Sequence, residues 1–341
     1  MNALSFRVLR RLADGDFHSG AALADALDIS RGSVWNAVRA IEAAGLDIYK
    51  VRGRGYRLAR AISLLERDAV RKRIGPRAED LELEIIERTP STNTLLAARA
   101  AAGARNGTTI VAESQTHGRG RFGRAWLAGL GGGITFSLLW RFPQGASALA
   151  GLSLAAGVAL MRALRRLGVE DARLKWPNDV TWRGGKLAGI LIEMQGDALG
   201  PSCAAIGIGI NVRMSQRLQD AIDQPAVDLE SACGRAMDRN EVLGVVLDEL
   251  AQALAAFSVG GFAPLRGEWE QYHAHQNQMI DVTLPDGRVE RGIARGVGED
   301  GTLVVETEHG ARRLHTGEVT VRPARAGTGR AATATEAQRP V

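Results

Sequence analysis

Apolar residues recur at helical spacing over the first 44 positions, and the period then changes. Val8, Leu9 and Leu12 predict a helix over 6–12, and Ser19 is placed to cap a second over 21–27. Asp28 and Ile29 make a short turn, Ser30 caps a helix over 31–44, and Gly45 ends it. Two short helices across so brief a turn read as helix-turn-helix. At 100° per residue, Val34, Val38 and Ile41 share one face of the third helix, leaving Gly32, Asn36 and Arg39 opposite, with Ser33 at the flank. That outer face is polar and small enough for a major groove, although three-helix domains also serve as scaffolds or bind protein. LDIYKVRGRGYRL, at 46–58, fits a two-stranded wing turning at Gly53 and Gly55.

Beyond residue 60 a connecting helix is predicted over 62–74, after which LELEIIE at 81–87 alternates and opens a new sheet. A helix follows at 91–104, then strands at 109–113 and 133–142 and a long amphipathic helix at 147–167. Strands at 180–183, 187–194 and 203–212 come next, the first two joined by an Arg183-Gly184-Gly185 turn, then a helix at 239–257. Hairpin-linked strands among helices predict an α+β fold with a mixed sheet. From Gln278 the texture becomes short strands with turns at Pro285-Asp286-Gly287 and Glu299-Asp300-Gly301, a small β-barrel ending near Val321. Residues 324–341, rich in Ala, Thr, Gly and Arg without apolar period, read as a disordered tail.

Length agrees with this division, since 341 residues exceed one core of about 100–200. No apolar run approaches the roughly 18 residues of a membrane span, which argues against an integral membrane protein. Residues 1–11 lack the apolar stretch of a secretory signal, so a cytoplasmic location is expected. Cys203 and Cys233 cannot make a disulfide framework and read as small apolar residues.

Charge is uneven. Residues 1–60 hold 10 Lys/Arg against 6 Asp/Glu, whereas the remainder of the chain is almost balanced. Lys50, Arg52, Arg54, Arg57 and Arg60 lie within eleven residues that contain no acid. Such an excess attracts phosphates, and a solvated face explains it equally well. Only 4 of the 43 basic residues are lysines, namely Lys50, Lys72, Lys175 and Lys186. A lysine that persists in an arginine-rich chain suggests a position where a compact point charge is needed.

Four stretches carry candidate chemistry. Residues 118–124, GRGRFGR, fit GxGxxG, but a dinucleotide fingerprint closes a strand, opens a helix and precedes an acid. Here a glycine-rich segment follows, and the strand GITFSLLWRFP stands where the acid belongs. A mobile loop whose glycines let amides approach an anion, ringed by Arg119, Arg121 and Arg124, is the better account, with nucleotide phosphate as ligand. A solvated arginine–glycine loop remains the alternative. KWPND at 175–179 and KLAGI at 186–190 bring two lysines to one hairpin, a poor arrangement unless an anion lies between them. GIGIN at 207–211 permits close backbone approach, and Asn211 is able to pair with a base edge. Ser91-Thr92-Asn93 before a helix is by itself an N-cap.

Taken in order, STN, GRGRxGRxW, KWPND, KLAGILIE and GIGIN resemble the biotin protein ligases. With the N-terminal helix-turn-helix and the C-terminal barrel, the resemblance spans about residues 1–322 and is to the bifunctional biotin ligase and biotin operon repressor family of bacteria. It implies a winged helix-turn-helix DNA-binding domain at 1–64 and a catalytic domain at 66–272 similar to class II aminoacyl-tRNA synthetases and biotin–lipoate ligases. An SH3-like barrel at 273–322 and a tail at 323–341 complete it. Implied substrates are biotin and ATP with Mg²⁺, giving biotinyl-5′-adenylate, from which biotin passes to a lysine of the biotin carboxyl carrier protein of acetyl-CoA carboxylase. Implied also are dimerisation and operator binding by the adenylate-loaded protein.

By motif, Ser91, Thr92, Asn93, Gln115, Arg119, Gly120 and Arg121 would line the biotin site, with Lys186 bridging the biotin carboxylate and the α-phosphate. Lys186 and Arg121 would be catalytic. Arg119, Arg121, Arg124, Trp126, Lys175, Asn178 and Asn211 would hold ATP and adenylate, Trp126 and Asn211 meeting the adenine, and Asp179 would serve Mg²⁺. Arg31, Ser33, Asn36, Arg39, Arg52 and Arg54 would face DNA. Phe122 stands where the family loop commonly has Arg or an aliphatic residue, and Arg213 where it has Asn. Lipoate ligases, the nearest other enzyme, generally lack the N-terminal reader and this loop. A ligase whose helix-turn-helix only positions or regulates the core is the second reading.

Overall fold

The structure, a computed structural model, describes residues 1–197, 199–283, 289–315 and 320–323. The expected turn at 285–287 and the tail at 324–341 lie outside the described residues.

The N-terminal helices are α1 (Ala3–Leu12), α2 (Gly20–Leu27) and α3 (Arg31–Ala43), followed by an antiparallel wing of β1 (Ile48–Val51) and β2 (Gly55–Leu58). Each helix starts on a side-chain cap: Asn2, Ser19 and Ser30 accept from the amides of Ser5, Ala22 and Ser33. Asp28 takes the left-handed conformation, φ 51°, and makes the sharp turn between α2 and α3. Phe6, Leu9, Leu23, Val34, Val38 and Ile41 form the core of this unit.

The expected connecting helix over 62–74 starts only at α4 (Arg67–Ile74). Residues 61–66 run without helix because their apolar side chains are divided between two cores. Ile62 and Leu64 complete the N-terminal core, while Leu65 enters the central one. Helical geometry would also withdraw backbone groups used elsewhere: the Leu65 amide donates to Glu113, and the Leu64 carbonyl accepts from Asn240.

The central sheet contains β3 (Glu82–Thr89), β4 (Thr108–Gln115), β5 (Gly133–Phe142), β6 (Ala172–Lys175), β7 (Asp179–Trp182), β8 (Gly185–Gly196) and β9 (Ser202–Asn211). Its order is β3-β4-β5-β9-β8-β7-β6. Only β3 and β4 are parallel, and α5 (Thr92–Ala101) connects them. α5 packs Leu96 and Ala100 against Ile110, Leu139 and Cys203. The other face meets α6 (Leu152–Arg166) and α9 (Arg239–Gly260), and short helices α7 (Gln216–Asp220) and α8 (Leu229–Cys233) lie between β9 and α9.

α6 starts later than expected because Gly151, at φ 84°, breaks the helical path. Strand β6 and α10 (Ala263–Tyr272) were not predicted. ARLK is too short for its alternation to register, and Gly267 inside α10 lowers its helix propensity. Contrary to the reading of the apolar runs, segments 146–166 and 239–260 are long and apolar enough for a membrane span. They are 67% and 72% buried inside the protein, as core helices should be.

The C-terminal strands β10 (Met279–Thr283), β11 (Val289–Val297), β12 (Leu303–Thr307), β13 (Gly310–Leu314) and β14 (Thr320–Pro323) form one antiparallel sheet, ordered β13-β12-β11-β10-β14. Ile280, Val282, Ala294 and Val297 share the central hydrophobic core. The expected turn at 299–301 docks on KWPND, where the Trp176 indole donates to the Gly301 carbonyl at 3.0 Å.

Candidate active site

One cavity opens over the β4-β5-β9-β8-β7 part of the sheet, and GRGRFGR, KWPND, KLAGI and GIGIN all contribute to its wall. Its polar end is built at the start of α5. Ser91 caps that helix, and Gln115 at the end of β4 accepts from the Thr92 amide at 2.7 Å and its hydroxyl at 3.1 Å. Asn93 donates to the Leu191 carbonyl at 3.2 Å and accepts from Ser137 at 2.5 Å. Ser91, Thr92 and Asn93 are all nearly inaccessible, so each polar group is fixed before any ligand arrives. Ser137, which ties Thr92 to Asn93, was not predicted; nothing marks a serine inside an apolar strand.

Two glycines of GIGIN have a specific reason. A Cβ on Gly207 would lie 2.3 Å from Asn93 Oδ1, and one on Gly209 would lie 2.2 Å from the Trp126 ring. The strand is therefore bare where the cavity's polar end and its indole press against it. Trp126 Nε1 is buried without a hydrogen-bond partner, a donor available to a ligand.

The arginine–glycine segment is a narrow hairpin rather than an open amide nest. The Trp126 amide donates to the Gly118 carbonyl at 2.9 Å and the Gly120 amide to the Arg124 carbonyl at 2.7 Å, with Arg119 and Ala125 bridged between them. Those two amides are engaged within the hairpin, so charge at the cavity comes from the guanidinium groups. Arg121 donates to Asn178 Oδ1 at 3.3 Å. Burial lowers the Arg121 proton affinity, Asp179 opposes that and Arg124 adds to it, the balance of a cation awaiting an anion. Arg119 reaches Thr94 at 3.0 Å and Glu193 at 3.0 Å. Glu193, the last residue of KLAGILIE, was not singled out in the sequence; it pins the hairpin to β8.

Lys186 is held by its backbone. Its amide donates to the Pro225 carbonyl at 2.8 Å, and its carbonyl accepts from the Val227 amide at 3.0 Å and the Asn211 amide group at 3.2 Å. Asn211, expected at the adenine, donates also to the Val227 carbonyl, so its amide group ties Lys186 to residue 227, and it is not among the residues that line the cavity. Lys186 Nζ lies 2.7 Å from Asp179 Oδ1 and 5.7 Å from the Trp126 ring centroid. The two lysines do not share one hairpin. Lys175 is on β6 and Lys186 on β8, with Asp179 of β7 paired to Lys175 in register. The Asp179 carboxylate therefore lies against Lys186.

Lys175, Asn178, Arg124 and Gly120 line the cavity, as do Gln224 and Phe122, which were not predicted as site residues. Asp179 is the only carboxylate in that wall, and among the described residues no group of three metal-ligating side chains exists. The proposed DNA-facing residues are on the opposite unit. Arg31, Asn36 and Arg39 are exposed along α3, Ser33 is half-buried and bonded to Ser30, and Arg52 and Arg54 form the wing's turn.

Comparison with known proteins matches three separate segments of the chain. Residues 5–57 match an HTH domain, 85–211 the biotin/lipoate A/B protein ligase family, and 275–322 the biotin protein ligase C terminal domain. The bifunctional ligase/repressor BirA of Escherichia coli (strain K12) is 33% identical over 323 residues, 95% of this chain and 98% of that protein. Its namesake in Bacillus subtilis (strain 168) is 30% identical over 90% of this chain and 94% of its own length. Among solved structures, the biotin protein ligase from Aquifex aeolicus in complex with biotin and ATP is 30% identical. It superposes with a TM-score of 0.61 over 71% of this chain and 99% of its own.

Proposed function

This chain belongs to the bifunctional biotin ligase/repressor family, and we propose that it joins biotin to AMP, transfers biotin to a carrier lysine, and represses biotin genes in its adenylate-bound state. The observation that carries the ligase reading is the single cavity that gathers Lys186, Arg119, Arg121 and Trp126 beside the fixed polar end at Ser91, Thr92, Asn93 and Gln115.

A biotin carboxylate oxygen attacks the α-phosphorus of ATP, the new P–O bond forms, and the bond to pyrophosphate breaks. Two anions meet in that step, so cations placed in advance lower its barrier more than they aid ground-state binding. Lys186 bridges carboxylate and α-phosphate, while Arg119 and Arg121 from the hairpin, with Arg124, Lys175 and Asn178, surround the phosphates. Trp126 covers the adenine. Asp179, ion-paired with Lys186, is the one carboxylate among the cavity-lining residues and would hold Mg²⁺ brought with ATP, which would supply neutralisation of phosphate charge; a single carboxylate suits a metal held mainly by phosphates and water. In the second half-reaction the carrier lysine's amine attacks the biotinyl carbonyl and AMP leaves.

Residues 66–272 carry this chemistry, 1–64 read DNA, and 273–322 close the KWPND side. The reactions take place in the cytoplasm, with the carrier domain of acetyl-CoA carboxylase as acceptor, and operator binding uses a homodimer. Incubation with biotin, ATP, Mg²⁺ and a carrier domain, followed by intact mass measurement, tests the enzyme. One biotinyl group should be added per carrier, and an unmodified carrier after exhaustive incubation would refute the ligase reading.

Deleting residues 1–62 should abolish specific DNA binding and leave measurable ligation, because no residue before Ser91 lines the cavity. Fluorescence anisotropy with the promoter of the organism's own biotin genes reads the loss. Specific binding that survives truncation would place the reader elsewhere. In the full chain, changing Arg52 and Arg54 together to Ala should flatten the salt dependence by up to about two units.

Arg121→Gly should leave adenylate synthesis working but speed escape of the intermediate by about 10- to 100-fold, the scale of one lost charge-assisted contact. Arg121 fastens the hairpin tip to Asn178, and a glycine removes that tie and loosens the tip. Biotin should then appear on unrelated lysines. Equal dissociation rates of labelled biotinyl-5′-adenylate from both proteins would show that the hairpin is not a lid.

A further inference from the structure

On the outer face of α3, Arg31, Trp35 and Arg39 follow one another at four-residue spacing and form a stripe along the helix. The middle residue is the anomaly. Trp35 is 46% exposed and stands outside the core of its unit, at the border between the buried face of Val34, Val38 and Ile41 and the outer face of Gly32, Asn36 and Arg39. The exposed half of this indole is an apolar surface bordered by cations, and covering it on binding would be favourable. Arg39 covers only part of it: its guanidinium carbon stacks 4.8 Å from the ring centroid, and the residue is still 46% exposed. Gly32, one turn before Asn36 on the same face, adds no side chain that would hold a partner off.

We propose that Trp35 is a base-reading residue whose ligand is the C5-methyl of a thymine in the major groove, an inference that rests on the DNA-reading function given above. The occupant follows from charge and chemistry together. The stripe's two arginines and the wing's Arg52 and Arg54 make the surrounding surface a phosphate-binding one. On the major-groove edge of B-DNA the thymine methyl is the distinctive apolar group, so an apolar side chain between two cations has one natural base contact there. Stacking on Trp35 limits the orientations of Arg39, which suits Arg39 to a neighbouring guanine or phosphate.

The test uses the full-length chain loaded with biotin and ATP·Mg²⁺. Duplexes are enriched from a random pool by the unchanged protein and by Trp35→Ala, and each thymine of the wild-type consensus is then replaced singly by deoxyuridine, which lacks only the methyl. One thymine per half-site should respond: its methyl loss should weaken wild-type binding about three- to tenfold and leave Trp35→Ala binding unchanged. Trp35→Phe, which keeps an apolar ring, should retain part of the discrimination. If every deoxyuridine substitution has the same effect on wild type and Trp35→Ala, the assignment of Trp35 is wrong although the DNA-reading function stands. If the wild-type protein enriches no sequence at all, the DNA-reading function itself fails and Trp35 with it.

Discussion

Lys186→Ala should lower adenylate formation by about 10²- to 10³-fold, the cost of removing one preorganised transition-state charge. The size of the effect follows from how the lysine is held. Both backbone polar groups of Lys186 are bonded to the segment 225–227, and Asn211 secures its carbonyl again, so the ammonium starts from a fixed base. Removing it also takes the nearest cation, 2.7 Å away, from Asp179, a carboxylate in the wall where two further anions must meet. Repulsion then adds to the missing attraction. Pyrophosphate release in the absence of carrier is the measurement, and release at the wild-type rate would remove Lys186 from the mechanism. Lys186→Arg should restore little, because a planar guanidinium does not occupy the position of a compact ammonium between Asp179 and the indole.

Most of what places this site was legible in the chain because its motifs are local. The Arg183-Gly184 turn between KWPND and KLAGI, with φ of 45° and 83°, fixes the hairpin between β7 and β8, whereas β6 itself was too short to be read. Caps at Ser19, Ser30 and Ser91 worked for the same reason, since each needs only an oxygen and an amide three residues on. What escaped depends on contacts between distant segments. Nothing local to GIGIN says that the Asn211 side chain turns toward residues 186 and 227. The segment 61–66 was misread because apolar residues at positions 62, 64 and 65 fit a helix until two separate cores divide them. The arginine–glycine loop shows the converse error. Its glycines suggested amides free for an anion, whereas the hairpin's own bonds engage the Gly120 and Trp126 amides.

Glu113→Ala should destabilise the fold by about 3–5 kcal/mol, the cost of leaving a buried charge without its partner. Glu113 and Arg239 have side chains only 1% exposed, and Glu113 Oε2 accepts from both terminal nitrogens of Arg239, at 2.8 and 2.6 Å. Its other oxygen accepts from the Leu65 amide at 2.6 Å. Burial alone lowers the proton affinity of Arg239 and Glu113 raises it back, so the carboxylate is what makes a buried guanidinium tolerable there. The pair also closes a larger joint. The Arg239 amide donates to Ser63, Asn240 donates to the Leu64 carbonyl, and the Glu66 amide donates to Asn240, so residues 63–66 are fastened to α9 and β4 together. Two residues after Glu113 on the same strand comes Gln115, which orients Thr92 in the cavity. Loss of the carboxylate should therefore lower the urea midpoint and weaken biotin retention in one variant. Glu113→Leu combined with Arg239→Met should recover most of the stability, since a buried pair replaced by apolar groups of similar volume is often neutral, while the single substitution is not. A single Glu113→Ala change costing under about 1 kcal/mol would mean that water reaches Arg239 and that the joint between the two cores is looser than its hydrogen bonds indicate.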